Sequence, residues 1–74
     1  MTEKHIEIST EYIRLQDALK FAGLVLTGGE AKERIQAGEA AVNGETCTQR
    51  GKKLRPGDEV VFSDTRLTLS YGAS

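Results

Sequence analysis

The chain is poor in the residues that staple or scaffold small proteins: its 74 residues include one cysteine, one histidine, one proline and no tryptophan. A single thiol, Cys47, forms no intramolecular disulfide, and with only His5 beside it no Cys/His structural zinc site can be assembled. That usage fits a reducing compartment. No stretch approaches the roughly 20 apolar residues of a membrane span. Met1 to Ser9 carries Glu3, Lys4 and Glu7 where a secretory signal would be apolar. The expectation is a cytoplasmic protein without a membrane partner. Catalysis is poorly provided for: one His, one Cys and scattered carboxylates have no spacing that groups a nucleophile, a base and an orienting residue. An enzyme is therefore not expected, nor a cofactor, nor a bound metal.

What is present is 38% hydrophobic and 28% charged residues, the composition of one small domain. We expect residues 1–74 to form a single monomeric domain with its main body over about residues 12–63. A domain of this size buries about 60% of the surface its unfolded chain exposes, too little to enclose a large active site. The formal net charge of −1 hides a gradient. In residues 1–17, Lys4 and Arg14 stand against Glu3, Glu7, Glu11 and Asp17, leaving −2. In residues 56–74, Arg66 stands against Asp58, Glu59 and Asp64, again leaving −2. The middle, 18–55, sets Lys20, Lys32, Arg34, Arg50, Lys52, Lys53 and Arg55 against Glu30, Glu33, Glu39 and Glu45, leaving +3. Four of the six residues from Arg50 to Arg55 are basic and none is acidic, which makes this the strongest charge feature.

Periodicity sets out the elements. His5 to Ser9 alternates, with Ile6 and Ile8 on one side, and reads as a short edge strand. From about Tyr12 to Ala22, the residues Leu15, Ala18, Leu19 and Ala22 recur at helical spacing, and Gly23 ends the helix. Thr27 caps a second helix, running to about Ala37, with Glu30 completing a capping box, Ala31 and Ile35 facing inward and Gly38 stopping it. Ala40 and Val42 then share one face of a strand that enters the Asn43-Gly44 hairpin turn. Strands are expected over Thr46 to Thr48, Glu59 to Ser63 and Arg66 to Tyr71, with the turn Arg55-Pro56-Gly57-Asp58 before the second of these. The fold class is α+β: two short helices packed on a small, twisted, mainly antiparallel sheet. Phe21 and Phe62 are expected in the core, His5 on the surface, and Cys47 as a small buried hydrophobe.

The order Arg14-Leu15, Ala31-Lys32, Ile35, Gly38, Val42-Asn43-Gly44 and Gly57-Asp58 resembles the RNA-binding domain first described in ribosomal protein S-four, the αL motif. The resemblance covers Tyr12 to Phe62. Within that superfamily, Thr27-Gly28-Gly29-Glu30-Ala31-Lys32 and Arg50-Gly51-Lys52-Lys53-Leu54 are similar to the small stand-alone bacterial proteins of the YbcJ and YaaA type. It implies an RNA surface made from the second helix start, Thr27, Gly28, Gly29 and Lys32, and the loop Arg50, Gly51, Lys52 and Lys53, with Arg14 and Asn43 nearby. Two residues depart from the pattern: Arg34 falls where many such domains carry an apolar residue, and Gln49 where related chains often have another arginine.

The chemistry of those residues agrees. A helix start exposes unpartnered N–H groups and a partial positive potential, so it suits a phosphate beside Gly28 and Gly29. Glu30 opposes an anion there, and an ordinary turn and cap would use the same Thr27-Gly28-Gly29. The spacing is not that of a P-loop, which sets nucleotide hydrolysis aside. Lys32 and Arg34 lie about 200° apart on a helix and cannot share one narrow patch. Three cations on one glycine-containing loop suit neutralisation of backbone phosphates, though a solvated charged loop has the same composition. Arg14 has a salt bridge to Asp17 or Asp58 as its alternative, and Asn43-Gly44 has its turn. No aromatic residue falls inside the basic segments, so folded RNA read through shape and phosphates is expected over sequence-specific capture of a single strand. The expected partner is structured RNA, ribosomal RNA or a ribosomal subunit. The alternative classes are a ubiquitin-like sulfur carrier, which needs a terminal Gly-Gly where this chain reads Tyr71-Gly72-Ala73-Ser74, and a protein-interaction module using the acidic ends.

Overall fold

Strands β1 (Thr2–Ile8) and β7 (Thr65–Tyr71) lie side by side and parallel in the computed structural model, which describes residues 1–72. The alternation of Ile6 and Ile8 with Leu67 and Leu69 puts one face of this pair into the core. β1 is longer than the expected His5 to Ser9. Its first four residues are exposed and leave no hydrophobic signature, but each has a register partner on β7, from Thr2 opposite Thr65 to His5 opposite Thr68. The sheet order is β1-β7-β6-β3-β4, with β3 (Ala40–Val42), β4 (Glu45–Thr46) and β6 (Glu59–Phe62) paired antiparallel. β1 occupies an edge, as the sequence predicts. The fold is α+β, with two helices against this sheet.

The helices are α1 (Leu15–Phe21) and α2 (Gly28–Gln36). Both end the same way. In α2, the Gly38 N–H donates to the Ile35 carbonyl at 3.0 Å and the Glu39 N–H to Arg34 at 3.2 Å, the paired bonds of a Schellman cap, with Gly38 at φ +84°. In α1, Gly23 N–H to Lys20 and Leu24 N–H to Leu19 make the same pair. Asn43 (φ +51°) and Gly44 (φ +88°) form the expected hairpin turn between β3 and β4.

Several expectations are corrected. Tyr12 to Arg14 is not helical: Ile13–Arg14 is a short strand, β2, paired antiparallel with β5 (Lys53–Leu54) in a separate two-stranded ladder. The stripe begins at Leu15, so helical periodicity carries no information about residues 12–14, whose conformation is set by pairing with a segment 40 residues away. The strand expected over Thr46 to Thr48 stops at Thr46, although the Cys47 N–H still donates to the Ala40 carbonyl at 2.9 Å. Ser63 leaves β6 at φ +56° to turn into β7. Phe21 is 66% exposed rather than core. It stands roughly 110° around the helix from the centre of the Leu15, Ala18, Leu19, Ala22 stripe. Cys47 is half-buried and packs at the edge of the core. Residues 73 and 74, on which the carrier alternative turns, lie outside the described residues.

The core joins both layers: Leu15, Ala18 and Leu19 from α1, Ala31 and Ile35 from α2, and Leu54, Val60, Phe62 and Leu67 from the strands are all buried. Among the described residues no polar or charged residue is buried, so this core carries no desolvated charge. No helix among the described residues is long and apolar enough to cross a membrane.

Candidate nucleic-acid interface

The start of α1 is where the basic residues converge. Its N-cap, Arg14, is extended (φ −77°, ψ 149°) and supplies no side-chain cap. The first N–H groups of a helix need acceptors, and here the basic loop provides them: the Leu15 N–H donates to the Lys52 carbonyl at 2.9 Å and the Gln16 N–H to the Arg50 carbonyl at 3.1 Å. The loop turns tightly to do this, with the Lys52 N–H donating to the Gln49 carbonyl at 3.1 Å. Main-chain carbonyls face the helix, and the Arg50, Lys52 and Lys53 side chains are in residues exposed to solvent.

The β2–β5 ladder then brings in Arg14. Arg14 stands directly opposite Lys53, and Ile13 opposite Leu54. Residues directly opposite on paired strands share a face, so the apolar pair Ile13 and Leu54 is turned to the core while the two cations share the outer face. Like charges so placed repel. No ion pair among the described residues offsets them: none of Arg14, Lys32, Arg50, Lys52 and Lys53 forms a salt bridge there, and the Asp17 and Asp58 pairings open to Arg14 are not formed. The ion pairs present belong to Arg34 and Arg66. Sequence reasoning missed Tyr12 here, because no spacing rule links it to the loop. The Lys53 ammonium lies 4.9 Å from its ring centroid, so one aromatic residue does adjoin the basic cluster.

At the start of α2, Thr27 caps as expected, its hydroxyl accepting from the Glu30 N–H at 3.1 Å. The Glu30 carboxylate reaches one residue further back than a standard capping box and accepts from the Leu26 N–H at 2.9 Å. The N–H groups of Gly28 and Gly29 have no partner among the described residues. Lys32 is exposed. α2 packs on α1, and thus the two candidate segments are joined through α1. Asn43 is engaged in the fold: its side-chain amide donates to Asp58 at 3.1 Å, and its carbonyl oxygen accepts from the Glu59 N–H at 3.0 Å.

The glycines separate into two groups. Gly23, Gly38, Gly44 and Gly57 have positive φ, and a Cβ on Gly72 would meet Glu7 within 3 Å. Gly28, Gly29 and Gly51 have neither constraint, and a Cβ would be accommodated at each. These three, which the backbone does not require, are the ones in the expected RNA surface.

Arg34, the residue that departs from the motif pattern, has a structural place. Its guanidinium lies 4.4 Å from the Phe62 ring centroid and bonds Glu39 Oε1 through both Nε (3.1 Å) and Nη2 (2.9 Å), with Glu30 at 3.8 Å. The aliphatic stem and planar head thus cover Phe62 where an apolar side chain would otherwise do so. His5 is exposed and bonded to the Thr68 and Ser70 hydroxyls. Among the described residues no three His, Cys, Asp or Glu side chains are grouped to hold a metal ion.

Two helices on a mainly antiparallel sheet, with a basic loop closed over the first helix start, define a small α+β class of domain with an exposed cationic face. The S4 domain family profile matches residues 6–70, and the chain belongs to that family. It is also 44% identical over 55 residues, 74% of this chain and 78% of the relative, to the "Probable ribosome maturation protein RlbA" of Bacillus subtilis (strain 168).

Proposed function

We propose that this protein binds structured RNA, specifically ribosomal RNA or a ribosomal subunit, as a single monomeric cytoplasmic domain that catalyses no reaction. Arg14, Arg50, Lys52 and Lys53 take backbone phosphates, with Gly51 letting the chain approach closely. Thr27, Gly28, Gly29 and Lys32 form a second contact at the α2 start, and Asn43 acts from its turn nearby. The observation that carries this reading is the repulsive Arg14–Lys53 pair flanked by Arg50 and Lys52, with no carboxylate of the described residues bonded to any of them. A polyanion relieves that repulsion. Membership of the S4 domain family supports RNA as the polyanion, and the relative's name supports a subunit under maturation.

Neutralising about four phosphates gives a log–log salt slope of roughly −3 to −4, so affinity falls on the order of 10²-fold between 50 and 200 mM salt. The test is binding to purified ribosomal subunits and to total structured RNA across that range, for the wild type and a Lys52→Glu, Lys53→Glu variant. Steep salt dependence in the wild type and loss of binding in the folded variant are expected. Binding that ignores salt, or that survives in the variant, overturns the reading and makes a protein partner the better one.

A further inference from the structure

Beside the basic loop, between the β3–β4 hairpin and the segment leading into the loop, lies an open groove of roughly 460 Å³. That volume falls in the range of small-molecule sites. Glu45, Thr46, Cys47, Thr48, Gln49 and Lys52 line it. Lys52 belongs both to this groove and to the phosphate-binding loop, so whatever lies along the loop passes the mouth of the groove. The side chains of Glu45, Thr46, Thr48, Gln49 and Lys52 form no hydrogen bond or ion pair with any described residue, whereas Asn43, which also lines the groove, is bonded to Asp58 and to the Glu59 N–H. The groove therefore presents unused donors and acceptors around the half-buried Cys47, whose thiol donates to the Gln49 main-chain carbonyl at 3.7 Å.

We infer that this groove receives one unpaired nucleotide of the bound RNA, its base between the hairpin and Gln49 and its phosphate at Lys52. The inference rests on the RNA-binding reading above. Charge decides which part of the nucleotide enters. The Glu45 carboxylate repels a phosphate but accepts from base N–H groups, while the Gln49 amide both donates and accepts, as the edge of a base requires. Single-stranded RNA is read by such contacts to splayed-out bases. The groove is open, which suits a residue still attached to a polymer. Adenine offers Glu45 its exocyclic amino group, whereas the one N–H on the pairing edge of uracil sits between two carbonyl oxygens that repel a carboxylate, so Glu45 favours a bulged adenosine over a bulged uridine.

The lone thiol reports occupancy. Cys47 alkylation is measured on the intact protein, free and with three synthetic RNA hairpins: one fully paired, one with a single bulged adenosine and one with a single bulged uridine. The adenosine bulge is expected to bind roughly tenfold more tightly than the paired hairpin, the scale of one good base contact, and to slow alkylation of Cys47. Gln49→Ala and Glu45→Ala, both at exposed side chains, are expected to remove that preference while the paired hairpin still binds with its full salt slope. If the paired hairpin binds with a steep slope but a bulge adds nothing and Cys47 stays reactive, the nucleotide site is overturned and phosphate binding stands. If no hairpin binds at low salt, both fall.

Discussion

The face where α2 meets the sheet and the loop that covers the start of α1 both carry arginine, but they use its charge in opposite ways. On the first, Arg34 is tied to Glu39 by two hydrogen bonds, approached by Glu30 and laid over Phe62. On the second, Arg14 and Lys53 stand opposite each other on paired strands, with Arg50 and Lys52 in the adjoining loop, and none bonds a carboxylate among the described residues. In the first region the chain satisfies its own charge, and the charge supports the fold. In the second it leaves charge without an ion pair among the described residues, at a cost in local repulsion that a bound polyanion would offset. Net charge of −1 conceals this division, because the sum counts a paired and an unpaired arginine equally.

The most severe way to break the comparison is at the aromatic ring the first region is built on. Phe62 is 2% exposed. Phe62→Ala removes a core side chain and leaves a cavity, for an expected loss of about 3–5 kcal/mol. A domain of this length has only about 4–11 kcal/mol in total, so thermal or urea unfolding should show a large drop, with RNA binding falling in step with the folded fraction. The Lys52→Glu, Lys53→Glu variant should do the reverse, losing binding with stability within about 0.5 kcal/mol of wild type. Equal loss of stability in the two variants would mean that the loop carbonyls capping α1 depend on those side chains.

A gentler substitution separates charge from packing. Arg34→Met keeps an apolar stem over Phe62 and removes the guanidinium. The ion pair to Glu39 is about a third exposed and contributes little, and a cation–π contact at such a site is worth about 0.5–1 kcal/mol. The expected loss is about 1 kcal/mol by denaturant unfolding, with RNA affinity and salt slope unchanged. A shallower slope by about one unit would place Arg34 in the interface instead.

Local rules made the helical stripes, the Thr27 cap, the Gly38 stop and the Asn43-Gly44 turn legible, because each is decided by residues within a few positions of one another. The order of those landmarks was also legible and carried the family. What stayed hidden was set by distant partners. The start of α1 is capped by carbonyls of Arg50 and Lys52, so no residue near Arg14 announces it. β2 exists only because Leu54 and Lys53 pair with it, and Tyr12 meets Lys53 for the same reason. The first half of β1 has no apolar pattern; its register with β7 and the bond from the Lys4 ammonium to the Ala22 carbonyl hold it. Among the candidate site residues, the clustering of loop cations was readable as a run in the sequence, but the arrival of Arg14 opposite Lys53 was not.

The last expected effect has opposite signs in the two readouts. Gly28 and Gly29 open α2 without positive φ, and a Cβ at either meets no atom closer than 3.9 Å. Replacing both by alanine therefore costs the fold nothing sterically and lowers the entropy of the unfolded chain, for an expected gain of about 0.4–1 kcal/mol at each position. If their use is to let a phosphate approach the N–H groups of the helix start, the same methyl groups obstruct it. RNA affinity should then fall severalfold while the unfolding midpoint rises. Comparing the salt slope of this variant with that of Lys52→Glu, Lys53→Glu separates the two contacts, because methyl groups remove no charge and should leave most of the slope in place. A Gly28→Ala, Gly29→Ala protein that is more stable and binds as tightly as wild type would confine the interface to the α1 start and its loop.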